Sequence, residues 1–222
     1  MNADPVQGMA SWKLGPALAC GNTVVLKPSE ETPLSILLVA TLIPKAGFPP
    51  GVINIINGTG AVAGQALAAH MDVDKIAFTG STATGRLIMK AAATNLKSIT
   101  LETGGKSPLL VFDDADLEQA ARWAHLGIMS NQGQICTATS RILVQRSILD
   151  RFLAQFRTEV TDRSIVGHPF TDGVFQGPQV SRRQYERVLS CIARAREQGA
   201  HCFLGGNPHT AARTPQGDKG FF

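Results

Sequence analysis

The first half of the chain alternates short β-branched runs with helical segments, and this alternation restricts the fold more than any other feature. The run Asn22-Thr23-Val24-Val25-Leu26-Lys27 is typical of a buried strand, and Thr32-Pro33 supplies a capping hydroxyl and a first-turn proline for a helix. The pattern then repeats. It predicts strands over residues 22–27, 52–56, 75–79 and 98–101 and helices over residues 32–45, 61–70 and 86–94. Such repetition is typical of an α/β fold whose parallel, Rossmann-like sheet has helices on both faces.

The character of the sequence changes after Gly104-Gly105, where we place a domain boundary between residues 1–103 and 104–222. The second part predicts further α/β structure. Its strands are expected over residues 107–112, 141–145 and 201–204, and its helices over residues 116–129, 147–160 and 181–198. Either Asp113 or Asp114 is expected to cap the first of these helices.

Composition excludes several classes of protein. The chain has 222 residues, 44% of them hydrophobic and 17% charged, which is ordinary for a globular core. No secretory leader or membrane-length apolar run is visible, so we expect a cytoplasmic protein with no membrane partner. The net charge of +4 is concentrated late in the chain, among glutamates and without interleaved aromatics, which argues against nucleic-acid binding. The five histidines show no ligand spacing, so no metal site is predicted.

Polar side chains follow the predicted strands of the first domain. Lys27, Asn57, Thr79 and Glu102 all come at carboxyl ends. Because parallel α/β sheets bind ligands beyond the carboxyl ends of their strands, these residues predict a ligand site at one rim.

One carboxylate and one thiol are the strongest candidates for chemistry. Glu102 ends an apolar run, and Cys136 follows the glycine- and amide-rich turn Asn131-Gln132-Gly133-Gln134. A thiolate can attack a carbonyl carbon, and a carboxylate can activate the water that releases the product. The alternative for Cys136 is a buried, inert thiol. Cys20, Cys191 and Cys202 lack a comparable turn and are interpreted as structural.

Three other features have both a functional and a plain structural interpretation. The turn Gly80–Gly85, with the Ser81 hydroxyl and a helix N-terminus, suits a phosphate but is also an ordinary strand-to-helix turn. Gly58-Thr59-Gly60, with Gly64 behind it, is explained equally by helix–sheet packing. Lys27 and Glu30 can together reach one sugar, or can be separate solvated charges.

The chain resembles the NAD(P)-dependent aldehyde dehydrogenase superfamily over residues 9–222. The resemblance is carried by an ordered series of motifs: Trp12-Lys13, Pro16-Ala17-Leu18-Ala19-Cys20-Gly21-Asn22, Lys27-Pro28-Ser29-Glu30, Gly47-Phe48-Pro49-Pro50-Gly51, Phe78-Thr79-Gly80-Ser81, Leu101-Glu102-Thr103-Gly104-Gly105-Lys106-Ser107-Pro108 and Asn131-Gln132-Gly133-Gln134-Ile135-Cys136.

The resemblance implies a role for each matching residue. Cys136 matches the nucleophile that forms a thiohemiacetal and then a thioester, and Glu102 the base for its hydrolysis. It implies a partial dinucleotide-binding domain followed by a partial catalytic domain. The cofactor is expected to be NAD rather than NADP, because the charge of Glu30 would repel a 2′-phosphate. The residues expected to contact it are Lys27, Ser29, Glu30, Gly60, Gly64, Phe78, Thr79, Gly80, Ser81, Thr84, Thr103, Gly104 and Gln184.

The chain also departs from the family pattern. It is much shorter than a complete subunit, Asp4 stands where an asparagine normally helps to hold the oxyanion, with Asn2 out of register, and Thr103 replaces a leucine. Three hypotheses follow. The chain oxidises an aldehyde with NAD, it carries out non-redox chemistry on a carbonyl substrate (isomerisation, dehydration or cyclisation), or it is a silent fragment that docks on another subunit. Exposed apolar surface would favour a homo-oligomer.

Overall fold

The α/β architecture predicted from the sequence is confirmed in a computed structural model that describes residues 5–208, 213–214, 217–218 and 220–222. The chain divides into two compact units, Met1–Gly104 and Gly105–Phe222. Asp4 and Asn2, which bear on the predicted loss of the oxyanion asparagine, lie outside the described residues.

The N-terminal unit alternates helices and strands. Its helices are α1 (Pro5–Ala19), α2 (Leu34–Ala40), α3 (Gln65–Ala69), which continues a π-helical turn over Gly60–Gly64, and α4 (Thr82–Ala92). Its strands are β1 (Val24–Leu26), β2 (Ile53–Ile55), β3 (Lys75–Gly80) and β4 (Ser98–Thr103).

The strands of this unit form two parallel pairs. In the first pair, Leu26 of β1 lies opposite Ile55 of β2. In the second, Thr79 of β3 lies opposite Glu102 of β4. The expected parallel direction is therefore present, but the sheet is divided. β1 and β2 have only three residues each, so they contribute few hydrogen bonds to a wider ladder.

Two features of the N-terminal unit differ from the predictions. α1 occupies residues for which no element was predicted, and its hydrophobic residues have no marked face. The helix expected over residues 32–45 ends at Ala40, because the Thr41 hydroxyl and backbone N–H both bond to Leu38 O and close the turn.

A buried lysine joins two elements of the same unit. Lys97 is 6% exposed, and its Nζ donates to Ala68 O at 2.9 Å and to His70 O at 2.6 Å, at the end of α3. These bonds satisfy carbonyls that a helix end leaves without intrahelical partners.

The C-terminal unit packs helices against a third parallel strand pair. β5 (Pro108–Val111) and β6 (Arg141–Val144) pair in register, and α5 (Leu117–Met129), α6 (Leu149–Arg163) and α7 (Arg182–Glu197) are its main helices. Short 3₁₀ turns occupy Ser130–Gly133 and Arg146–Ile148. Two-residue strands β7 (Arg213–Thr214) and β8 (Gly217–Asp218) pair antiparallel. The core is formed by Val111, Ala121, Ala124, Ile148 and Phe152.

Two predictions in this unit were also wrong. The cap of α5 is Asp116, whose Oδ1 accepts from Glu118 N and Gln119 N, whereas Asp113 instead accepts from Gln145 Nε2 at 2.7 Å. No strand forms over residues 201–204. Instead, the guanidinium of Arg157 in α6 lies 4.3 Å from the centre of the Phe203 ring and donates to Phe203 O. Side-chain contacts therefore hold this segment.

Among the described residues, no helix combines the length and the apolar character needed to cross a membrane.

Candidate functional site

Lys27, Glu30 and Gly60 meet where β1 and β2 end. Lys27 Nζ donates to Gly58 O at 2.9 Å, to Pro28 O at 2.7 Å and to Glu30 Oε2 at 3.2 Å. The other oxygen of Glu30 accepts from Gly60 N at 3.2 Å. The two charges are therefore part of one polar cluster, and the alternative of separate solvated charges is wrong.

The cluster keeps Glu30 ionised. Backbone N–H donors, its own and that of Gly60, together with the hydrogen bond from Lys27, lower the pKa of the Glu30 carboxyl to about 2. The Glu30 side chain is 48% exposed, whereas that of Lys27 is 14% exposed. Glu30 thus presents a fixed negative charge to solvent and can accept further hydrogen bonds there. All three N–H groups of the Lys27 ammonium donate to protein oxygens.

Gly64 packs behind this cluster. A Cβ at Gly64 would lie 3.6 Å from Lys27 Cε, so the π-helical turn that carries Gly60 also supports the lysine side chain. Single π-turns are uncommon and occur frequently at functional sites. Ser29 lies to the side, where its Oγ accepts from Glu31 N at 3.2 Å.

The second candidate region is the start of α4. Ser81 is the cap, and its Oγ accepts from Thr84 N at 3.1 Å and lies 2.9 Å from Thr84 Oγ1. The ring of Phe78 covers Gly80, where a Cβ would lie 2.5 Å from Phe78 Cζ. Gly80 thus packs closely under the Phe78 ring, and the first backbone N–H groups of α4 form a helix N-terminus that favours anions.

The ends of β3 and β4 place the remaining predicted residues of this unit together. Thr79 lies opposite Glu102, and Gly80 opposite Thr103, just before Gly104. Thr79 Oγ1 is buried and has no hydrogen-bond partner among the described residues. Glu102 is exposed, and its carboxylate has no ion-pair or hydrogen-bond partner in the described part of the chain. Its oxygens are thus free to accept a bond from water.

Cys136 lies in the C-terminal unit, on an exposed turn. The residues before it have left-handed backbones: Asn131 at φ 49°, Gln132 at φ 56° and Gly133 at φ 72°. Asn131 Nδ2 donates to Gln134 O, and Gln134 Nε2 to Asn131 O. The alternative of a buried thiol is therefore wrong for Cys136.

The other cysteines are also exposed, so exposure alone does not single out Cys136. The interpretation of Cys20, Cys191 and Cys202 as structural stays a prediction; Cys191 Sγ accepts from Arg194 Nη2 at 3.3 Å, and Cys202 Sγ accepts from Arg196 Nη2 at 3.7 Å. What distinguishes Cys136 is the left-handed turn that precedes it, since strained backbone is concentrated at functional sites.

Gln184 lies in the first turn of α7, where its N–H donates to the capping Oγ of Ser181 at 3.3 Å. It belongs to the C-terminal unit, whereas the other predicted cofactor residues belong to the N-terminal unit. The same division separates Glu102 from Cys136. That Gln184 acts with the other cofactor residues, and Glu102 with Cys136, therefore remains a prediction.

Sequence reasoning missed His125. It is 1% exposed, its Nε2 lies 2.8 Å from Ser164 Oγ, and its ring lies 4.9 Å from that of Phe175. Burial lowers its pKa. Its spacing of four residues from Ala121, on the same face of α5, was the available signal, and it indicates a core position. In the described residues, no group of three or more His, Cys, Asp or Glu side chains could hold a metal ion.

Comparison with known proteins gives consistent results. The aldehyde dehydrogenase family profile matches residues 5–222. The chain is 54% identical over 215 residues to an aldehyde dehydrogenase of Davidiella tassiana, a match that covers 96% of this chain and 42% of that protein. Aldehyde dehydrogenase 1A1 of Homo sapiens is 52% identical over 215 residues, which cover 96% and 41% of the two chains.

Solved structures show the same likeness. The crystal structure of PnpE from Pseudomonas sp. WBC-3 superposes with a TM-score of 0.87 at 50% identity, over 91% of this chain and 41% of that one. The structure of PnpE in complex with nicotinamide adenine dinucleotide gives the same values. The chain spans about two fifths of the length of the curated relatives it matches. With a family match over nearly its whole length, the chain belongs to the aldehyde dehydrogenase family.

Proposed function

We propose that the chain carries out NAD-dependent oxidation of an aldehyde to a carboxylic acid, with Cys136 as nucleophile and Glu102 as general base. The observation that supports this most is that, in a chain of this family, the Cys136 thiol is exposed and follows a turn with a left-handed backbone. Hydrogen bonds from the side-chain amides of Asn131 and Gln134 stabilise this turn. A free carboxylate at the end of β4 supplies the second group that the chemistry needs.

The proposed steps use the residues as follows. The Cys136 thiolate attacks the aldehyde carbon and forms a thiohemiacetal, which loses a hydride to become a thioester. The Glu102 carboxylate then takes a proton from water, and the hydroxide so formed attacks the thioester carbon. This step releases the carboxylic acid and restores the Cys136 thiol. When bound, NAD supplies the acceptor for the hydride.

The residues of the N-terminal unit fit this cofactor. Glu30 is ionised and exposed, so it can accept from two ribose hydroxyls, while Lys27 and Gly60 hold it in place. The N-terminus of α4, reached through Gly80 and capped by Ser81, suits the pyrophosphate. We therefore assign the unit Met1–Gly104 to cofactor binding and to the general base Glu102, and the unit Gly105–Phe222 to the nucleophile Cys136.

The test measures NADH formation with a panel of aldehydes. Cys136→Ser should abolish it, whereas Cys191→Ser, which replaces another exposed thiol, should leave it unchanged. Glu102→Gln should allow one equivalent of NADH and then slow turnover by about a hundred- to ten-thousand-fold, because the thioester forms but is not hydrolysed. Full activity in Cys136→Ser would contradict the proposal. Conversion of a carbonyl substrate without NAD would favour the non-redox alternative.

The preference for NAD over NADP has its own test. Glu30→Gln keeps an oxygen that can accept from Gly60 N but removes the charge that would face a 2′-phosphate. Calorimetric titration should show a weak affinity of the parent protein for NADP that rises at least about tenfold in the variant, since one close like-charge contact is worth this much or more. Equal affinities of the parent for both dinucleotides would refute the assignment.

A further inference from the structure

The turn before Cys136 has a backbone that its residues do not favour. Asn131 (φ 49°, ψ 36°) and Gln132 (φ 56°, ψ 33°) are both left-handed, and Gly133 (φ 72°) follows. A left-handed backbone is unfavourable for residues with a Cβ, and of these only asparagine adopts it with some ease. Such a turn persists only where surrounding contacts hold it.

On one side of the turn, those contacts come from a distant segment, residues 176–180, which we call the brace segment. Val180 N donates to Gln134 Oε1 at 3.2 Å, and Gln176 Nε2 donates to Met129 O at 3.1 Å. In the amide orientation of Gln132 that satisfies both its polar atoms, Oε1 accepts from Gly177 N at 2.7 Å.

The opposite side of the turn rests on α5. Thr139 N donates to Gly127 O at 3.0 Å, and a Cβ at Gly133 would lie 3.3 Å from Ile128 O. The turn is thus held between α5 and the brace segment. The bonds between Asn131 and Gln134 stabilise the shape of the turn, but only contacts with other elements can set the direction in which it points.

We propose that the brace segment is a positioning element for Cys136, acting through Gln134 and Gln176. Because the brace segment holds the left-handed turn, the Cys136 thiol stays exposed and points in one direction. A nucleophile needs such a fixed orientation to attack at a defined angle. The positioning role rests on the proposed function of Cys136 as nucleophile. Neither glutamine contacts the reacting atoms; both act through the turn.

The test removes the brace bonds while keeping side-chain length. Gln134→Met removes the acceptor for Val180 N together with the donor to Asn131 O, and Gln176→Met removes the donor to Met129 O. In both variants, amide hydrogen exchange over residues 131–137 should quicken at least about tenfold, because the turn opens locally. Alkylation of Cys136 by iodoacetamide should slow at least about threefold relative to Cys191 in the same molecule. The kcat for aldehyde oxidation should fall with the KM for NAD unchanged.

Two further variants serve as controls. Gln119→Met makes the same change at an exposed position of α5 and should alter none of these measurements. Gln134→Glu keeps an oxygen for Val180 N and should restore slow exchange. Unchanged exchange and alkylation in both brace variants, with circular dichroism showing an intact fold, would overturn the proposal. If the parent protein forms no NADH, the proposed function fails, but exchange and alkylation still decide whether the segment braces the turn.

Discussion

At the scale of single residues, the cluster at Glu30 illustrates how neighbours set the properties of a side chain. Lys27 and Glu30 are three positions apart, and the sequence alone allowed them to be separate charges. In the structure Glu30 bonds to Lys27 and to Gly60 N, so one carboxylate connects the turn after β1 with the π-turn. The spacing of three residues permits the ion pair, but the bond to Gly60 requires tertiary structure.

The lowered pKa of Glu30 predicts a pH dependence of stability. Because the pKa of this carboxyl is about 2 in the folded protein and 4.5 is its ordinary value, ionised Glu30 stabilises the fold above pH 4.5. That contribution is lost as the pH falls from 4.5 toward about 2. Since the side chain is half exposed, we expect only about 0.2–1 kcal/mol.

The measurement is the free energy of unfolding of the parent protein and of Glu30→Gln by urea at several pH values. The difference between the two should be largest near neutral pH and should shrink on acidification through that window. A difference that grows as the pH falls would show that the sign is wrong.

At the scale of elements, the sequence predicted which residue types cap the helices better than it predicted which position carries the cap. Ser181 and Ser81 cap α7 and α4, and both helices were predicted, although α4 begins four residues earlier than expected, at Thr82. The segment before α5 offers several aspartates, and local sequence cannot rank them. The structure selects Asp116, because Gln145 at the end of β6 already binds Asp113.

This selection gives a paired prediction. Asp116→Ala should lower the free energy of unfolding by about 0.5–2 kcal/mol, because two N–H groups in the first turn of α5 lose their acceptor. Asp114→Ala, at the rejected position, should change it by less than about 0.5 kcal/mol. Chemical denaturation of the two variants side by side measures both values, and an equal loss in each would contradict the assigned cap.

At the scale of the whole molecule, the main consequence of the fold is that the strand pair β5–β6 has one apolar face exposed in the part of the chain that the structure describes. Leu110 and Leu143 lie opposite each other in β5 and β6, and they are 53% and 55% exposed. Their neighbours Val111 and Val144 point to the other face, which packs in the core. Parallel sheets normally have both faces covered, so this face favours association.

We therefore expect the chain to self-associate as its concentration rises. Leu110→Thr combined with Leu143→Thr should weaken association without unfolding, because threonine is favoured in strands and replaces exposed apolar surface with a hydroxyl. Sedimentation velocity over a concentration series measures the effect. Val25→Thr, at a 48% exposed position of the N-terminal unit, is the control and should not change it. A monomer at all concentrations would refute this expectation.

The sequence by itself determined the order and type of most strands and helices, the family, and the residues that are candidates for chemistry. These depend on periodicity, caps and short motifs, which act between neighbours in the chain. Only tertiary structure decided that Asp116, and not Asp113, is the cap and that residues 131–133 are left-handed. Both outcomes depend on a distant partner, Gln145 for Asp113 and the brace segment for the turn, and a linear pattern does not encode that distance.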